Sequence, residues 1–382
     1  MFNKKTIYLD HAATTPLEPE VLKAMMPYLK EKFGNPSSLY ALGVEAKKAV
    51  AEARLTISKI LNCLPEEIIF EGSGTESDNH ALIGTALANQ ARGSHLITSV
   101  IEHHAVLHAC EFLESQGFEV TYLPVNKEGL VNLKMLAESI RPETILVSLM
   151  YANNEIGTIQ PLSEISKIIK AKNPQTLFHA DACQAAAYLS LKVNDLGVDL
   201  LTINGSKIYG PKGIGALYVK QETALQPIIH GGAQENSKRA GTENVASIVG
   251  LAKALELVQK NKEKENQRLF KLRDKLIQSL LKIKGVSLNG SAQERLPNNV
   301  NITIAGVDGE KLMLALDKLG IACSIGSACT SGNPDPSHVI LALGNSFESA
   351  RGSLRFTLGH GNTEAEVNYL IKVLPRVIEK LS

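Results

Sequence analysis

The sequence predicts an α/β fold built on a mainly parallel sheet, and three features of its pattern carry that expectation. From about residue 66 to 220, seven short apolar runs alternate with amphipathic stretches. The runs are only a few residues long, bounded by Gly, Asn, Asp or Pro, and rich in β-branched residues, as buried strands are. The stretches between them repeat apolar residues at helical spacing, which implies crossover helices between parallel strands. In chain order the strands are read as EEIIFEG, HLITSV, FEVTYLPV, TILVSLM, TLFHAD, DLLTING and IGALYV, with helical patterns such as ESDNHALIGTALANQ and LSEISKIIKAK between several of them. Ligands of such sheets bind beyond the carboxyl ends of the strands.

From Glu243 onward the texture changes. Val245, Val249, Leu255 and Val258, then Leu269, Leu272, Leu276 and Leu280, recur at helical spacing and predict a long helix with a break near Lys260. Then come the strand NNVNITI, a helix through KLMLALDKL, a loop around SIGSACTSG, the strand SLRFTL and a final helix. The expected division is a large domain over 16–250 and a smaller α+β domain made from 1–15 with 251–382.

At 382 residues the chain is long enough to bury roughly 75% of the surface its unfolded form exposes. Hydrophobic residues make up 44%, charged residues 21%, and the net charge is +1. This balance argues against disorder and against a nucleic-acid-binding surface. The opening MFNKKTIYLDHAATTP has no apolar run behind its lysines, so no signal peptide is expected. No stretch has the apolar length of a membrane span. The five cysteines, Cys63, Cys110, Cys183, Cys323 and Cys329, form an odd and scattered set, which fits a reducing cytoplasm. The charged run KNKEKENQR at 260–268 reads as the solvated face of a helix.

Two strand ends carry the most chemistry. Lys207 follows the apolar run DLLTING into a glycine-rich turn, where poor solvation favours the neutral, nucleophilic amine. Asp181 closes TLFHAD, where it either caps the next turn or holds a protonated heteroaromatic nitrogen. A Schiff-base lysine and a carboxylate for a pyridinium are the polar equipment of a pyridoxal 5'-phosphate (PLP) site.

Other segments fit that site without requiring it. In GSGTESDN, Gly74 and Thr75 present donors for phosphate, or Thr75 merely caps a helix with Glu76 and Asp78 in its first turn. Gln184 is a donor to a ring oxygen or a surface amide. His103 precedes a helix and is placed to stack on an aromatic cofactor. His104 and His108, spaced i, i+4, share a helix face, but no third zinc ligand is evident, so no metal site is expected. Asn154, beyond TILVSLM, is turn chemistry or a holder of a substrate or cofactor oxygen. Cys323 reads as a small hydrophobe, whereas Cys329 in GSACTSG reads as an exposed, mobile nucleophile. Arg355, inside a strand, needs a partner, either a substrate carboxylate or a structural one.

YLDHAATTP, FGNPSS, GSGTES, EHHAV, NNEIG, DACQ, SKIYGPKGIGALY, RAGTEN, GSACTS and SLRFTLG follow one another in the order found in the cysteine desulfurases. The chain resembles that family, PLP enzymes of the class V aminotransferase-like, fold-type I group, over nearly its whole length. GSACTSG followed by PSHVILALG is similar to the first (class I) of the family's two groups. The resemblance implies a PLP cofactor joined to Lys207, which later serves as the proton-transfer base. It pairs Asp181 with the pyridinium nitrogen, stacks His103 on the ring, and sets Gln184 at the phenolate oxygen, with Asn154 near it and the substrate carboxylate. Gly74, Thr75, Asn204 and Ser206 would hold the phosphate. Thr242 would reach the phosphate of the other subunit, which implies a homodimer. Arg355 would clamp the carboxylate of L-cysteine and Cys329 would take its sulfur as a persulfide, leaving L-alanine.

The implied partners are thus L-cysteine, a second copy of the chain and a sulfur-acceptor protein, either an iron–sulfur scaffold or a tRNA-thiolation protein. No membrane and no direct nucleic-acid partner is expected. The alternatives are a selenocysteine lyase or another class V PLP lyase, and a binding or regulatory protein that kept the fold. Four positions depart from the family pattern. Asn204-Gly205-Ser206-Lys207 replaces Ser-Gly-His-Lys, Tyr40 stands where a histidine is expected, and His360 stands where an arginine is common.

Overall fold

The computed structural model describes residues 6–325 and 336–381. A two-residue strand β1 (Ile7–Tyr8) opens the chain, and the large sheet takes its strands from the middle. These are β2 (Ile68–Glu71), β3 (His95–Ser99), β4 (Glu119–Leu123), β5 (Thr144–Ser148), β6 (Leu177–Asp181), β7 (Leu200–Asn204) and β8 (Gly215–Val219). Their spatial order is β2-β8-β7-β6-β5-β3-β4. Only β8 runs against its neighbours; the other pairings along the row are parallel. All seven runs expected as strands are strands of this one sheet. β2, β3, β5 and β8 are buried at every position. That is why their sequences are continuous apolar runs rather than alternations.

Three-stranded and two-stranded sheets complete the fold. β9 (Val286–Leu288), β10 (Asn299–Ile304) and β12 (Ser353–Thr357) form an antiparallel sheet with β10 in the middle. β1 pairs in parallel with β11 (Ile321–Ala322). The first described residues are thereby stitched to the last third of the chain.

Helix Val245–Leu280 is continuous over 36 residues, about 54 Å. The expected break near Lys260 is absent. KNKEKENQR is composed largely of good helix formers, so loss of the apolar stripe there marks solvent exposure and not an end. The helix packs against helices Pro19–Lys30 and Ala41–Leu61 at one end and against helix Glu364–Leu381 at the other. The boundary expected between residues 250 and 251 falls inside it.

Because β2 is parallel to β7, the carboxyl ends of β2, β3, β5, β6 and β7 face the same side. The loops that leave those ends build the site. No helix among the described residues is long and apolar enough to cross a membrane.

Candidate active site

A cavity of about 130 Å³ opens at that sheet edge. β2 hands over to Gly74 and Thr75, β3 to His103, β5 to Met150, Ala152 and Asn154; β6 ends at Asp181, and β7 ends at Asn204 just before Lys207. The antiparallel sheet contributes Arg355, and the chain's beginning contributes Ala12 and Ala13. Nine of the residues expected at the site therefore line one cavity: Gly74, Thr75, His103, Asn154, Asp181, Gln184, Asn204, Lys207 and Arg355. Ser206 and Thr242 do not line it, and Cys329 lies outside the described residues.

Lys207 ends a short 3-10 turn, Gly205–Lys207, that follows β7. The Asn204 Oδ1 starts this turn by accepting the Ser206 N–H at 3.1 Å and its hydroxyl at 3.2 Å. Ser206 thus helps shape the turn that presents Lys207. The Lys207 Nζ donates to the carbonyls of Ala12 (3.0 Å) and Ala13 (2.5 Å). Gln184 Nε2 donates to the same Ala12 oxygen at 3.0 Å. Ala12 and Ala13 therefore form a wall of the site, in a segment whose sequence reads only as a motif.

Asp181 Oδ1 accepts the Cys183 N–H at 2.8 Å, so the carboxylate caps its turn and also lines the cavity. His103 caps helix His104–Ser115 by accepting the Ala105 N–H on Nδ1 at 3.1 Å. Burial lowers its pKa below the usual histidine value, countered in part by the Asp181 charge. The neutral ring with Nδ1 as acceptor carries its proton on Nε2.

Gly74 sits where a Cβ would come within 2.7 Å of Cys183 Sγ and 3.1 Å of Asn204 Cβ. The helix beginning there is capped by Ser73, whose Oγ accepts the Glu76 N–H at 3.0 Å. Thr75, expected as a candidate cap, is instead exposed at the cavity. Glu76 receives Arg239 Nε at 2.8 Å and so ties the segment carrying Thr242 to this helix.

Two residues, one lining the cavity and one behind it, had no clear signal in the sequence. Asp78 looked like a first-turn charge but points inward, 2% exposed, with Oδ1 3.7 Å from His179 Nε2 and without a hydrogen-bond partner among the described residues. Burial first, and then the neighbouring Asp181, push its pKa well above the carboxylate range. Asp10 is the second: its Oδ1 lies 2.8 Å from Arg355 Nη2. The rings of His104 and His338 are 4.8 Å apart and those of His104 and His108 5.0 Å. Among the described residues, however, no group of three or more metal-ligating side chains is arranged to hold an ion.

Residues 7–370 match the family model described as "Aminotransferase class-V". "Cysteine desulfurase IscS" of Dictyoglomus turgidum is 52% identical over 379 residues, 99% of this chain and 96% of that one. "Cysteine desulfurase IscS" of Methanosarcina thermophila is 51% identical over 377 residues, 99% of this chain and 93% of its own. The chain belongs to the cysteine desulfurases of the class V aminotransferase family. A solved structure titled "NIFS-LIKE PROTEIN" superposes with a TM-score of 0.93 at 36% identity, covering 98% of this chain and 100% of that one. PLP is the cofactor of this family, and the cavity suits it chemically. It offers an amine, two carboxylates, an imidazole, a guanidinium and three amides, and a side chain at Gly74 would crowd Cys183 and Asn204 in its lining.

Proposed function

We propose that the protein is a PLP-dependent cysteine desulfurase that converts L-cysteine to L-alanine and carries the sulfur as a persulfide on Cys329. The observation that supports this most is the meeting of Lys207, Asp181 and Arg355 in one cavity, drawn from three separate elements. An amine and a carboxylate alone serve many PLP enzymes; a buried guanidinium beside them adds recognition of an amino acid's carboxylate.

When bound, PLP supplies an aldehyde that condenses with amines and an electron-poor ring that stabilises charge at the substrate's α-carbon. Gly74, Thr75 and Asn204, with Ser206 orienting the turn, hold its phosphate. Asp181 keeps the ring nitrogen protonated, Gln184 and Asn154 serve the ring oxygen, and neutral His103 is the stacking partner. Lys207 Nζ would be the amine that anchors the cofactor and the base that takes the substrate's α-proton. Arg355 orients the substrate through its carboxylate. The Cys329 thiolate attacks the substrate sulfur; an S–S bond forms, the C–S bond breaks, and its electron pair stays with the carbon skeleton, which takes up a proton and leaves as alanine.

The active unit is a homodimer. Thr242 is exposed, away from its own cavity, yet Arg239 beside it is tied to Glu76. Large apolar side chains lie exposed in one stretch, Phe33, Leu39, Tyr40 and Val44. The protein works in the cytoplasm and passes sulfur to an iron–sulfur scaffold or tRNA-thiolation protein.

Absorption and product analysis test the reading. The PLP-loaded protein shows a long-wavelength band that Lys207→Ala loses, while Cys329→Ser keeps the band and stops alanine and persulfide formation from cysteine. Full cysteine activity in Cys329→Ser would overturn the sulfur-transfer role, and better turnover of selenocysteine would favour the lyase alternative.

A further inference from the structure

Arg355 is a buried cation before any substrate arrives. It stands in the middle of β12, 3% exposed. Nη2 pairs with Asp10 Oδ1 at 2.8 Å, and Nη1 donates to the Asn154 carbonyl at 2.9 Å. Nε is buried without a hydrogen-bond partner among the described residues. Asp10 comes from the other end of the chain. Its backbone is bridged to Thr357, and its carbonyl accepts the Tyr8 hydroxyl at 2.9 Å. Arg355 lines the cavity and Asp10 stands behind it.

A guanidinium removed from water needs a counter-charge, and an uncompensated one is strongly destabilising. A substrate carboxylate is present only part of the time. We propose that Asp10 is the resident counter-ion of Arg355, against which every incoming carboxylate competes, so that it sets how tightly amino acid and product are held. This rests on reading Arg355 as the carboxylate clamp.

The contacts leave room for such sharing. Asp10 engages the guanidinium through Nη2 and the Asn154 carbonyl through Nη1, and each of these nitrogens keeps a second N–H as a donor for an incoming carboxylate. Two carboxylates on one guanidinium repel each other, and more strongly in a partly dry cavity than in water. Asp10 therefore loosens the grip on cysteine and on alanine, which must leave after each turnover. In the empty site it cancels the arginine's charge, so stray anions gain little by entering. Asp10 is a positioning residue: it acts through Arg355 and touches no reacting atom.

Asp10→Asn keeps the shape and removes the charge. It is expected to lower the KM for L-cysteine, and the Kd of L-alanine measured by calorimetric titration of the holoenzyme, by about tenfold. Asp10→Ser, a second uncharged variant, shifts both the same way, and Asp10→Glu restores values near those of the wild type. A merely structural role gives the opposite sign, because a misplaced Arg355 binds carboxylates more weakly. Unchanged or raised KM and Kd in the uncharged variants that fold overturn the proposal. If Arg355→Lys raises KM but the Asp10 variants do not lower it, this proposal falls and the clamp survives. If Arg355→Lys leaves KM unchanged, the clamp reading falls and takes the proposal with it.

Discussion

Gly74 shows how one residue's lack of a side chain shapes the site. A Cβ there lies 2.7 Å from Cys183 Sγ and 3.1 Å from Asn204 Cβ, and Asn204 starts the turn that presents Lys207. Packed interiors pass such crowding to neighbours instead of absorbing it. Gly74→Ala is expected to raise the PLP dissociation constant about tenfold, read by quenching of intrinsic fluorescence during cofactor titration. Adding Cys183→Ala clears the nearer clash and restores part of the affinity; no recovery would place the fault elsewhere. At this scale the sequence was most readable where chemistry contradicted the surroundings. Lys207, Asp181 and Arg355 stood out as charges attached to apolar strands. Asp10 and Asp78 did not, because each sits among residues that give a carboxylate an ordinary reason to be there.

Among the elements, the turn around Glu235 is held by the least ordinary local balance. Glu235, Asn236 and Ser237 have φ of 46°, 56° and 62°, three non-glycine residues in succession in the left-handed region. Such residues persist only where the surroundings over-determine them. Glu235 supplies the constraint: its carboxylate accepts Arg54 Nη2 at 2.7 Å and the Phe70 N–H at 2.9 Å, in the strand that leads to Gly74. Removing one partner of a buried ion pair leaves the other uncompensated. Glu235→Ala should cost about 3–5 kcal/mol by urea unfolding. It should also reduce PLP retention on dialysis, since the turn leads to Arg239 and Thr242. Stability within 1 kcal/mol of wild type, roughly the spread of ordinary substitutions, would show that the turn is held by something else. Strand positions were legible here from apolar runs. The unbroken helix Val245–Leu280 was not, because periodicity senses the buried face and disappears where a helix crosses solvent.

For the whole molecule, the chain's beginning closes a site made by its middle and its last third. β1 pairs with β11, Asp10 reaches Arg355, and the carbonyls of Ala12 and Ala13 receive Lys207. Exposed apolar side chains concentrated at Phe33, Leu39, Tyr40 and Val44 are the natural surface for a second copy. Leu39→Asp with Val44→Asp should convert the proposed homodimer to monomer in sedimentation velocity and weaken PLP retention, if Thr242 serves the other subunit. A monomeric wild type would remove the basis for that role. A dimer unaffected by both changes would move the interface elsewhere.

The sequence by itself determined the strand set, the parallel character of the sheet and the residues able to do PLP chemistry. Burial, period and unusual charge placement are local properties that a linear string records. Only the tertiary structure decided that Asp10 neutralises Arg355, that Ala12 and Ala13 hold Lys207, and that Asp78 turns inward beside Asp181. Those contacts join residues far apart in the chain, or depend on which face a helix turns to the sheet. No local pattern encodes them, because their free energy exists only once the sheets and residues 6–15 have come together.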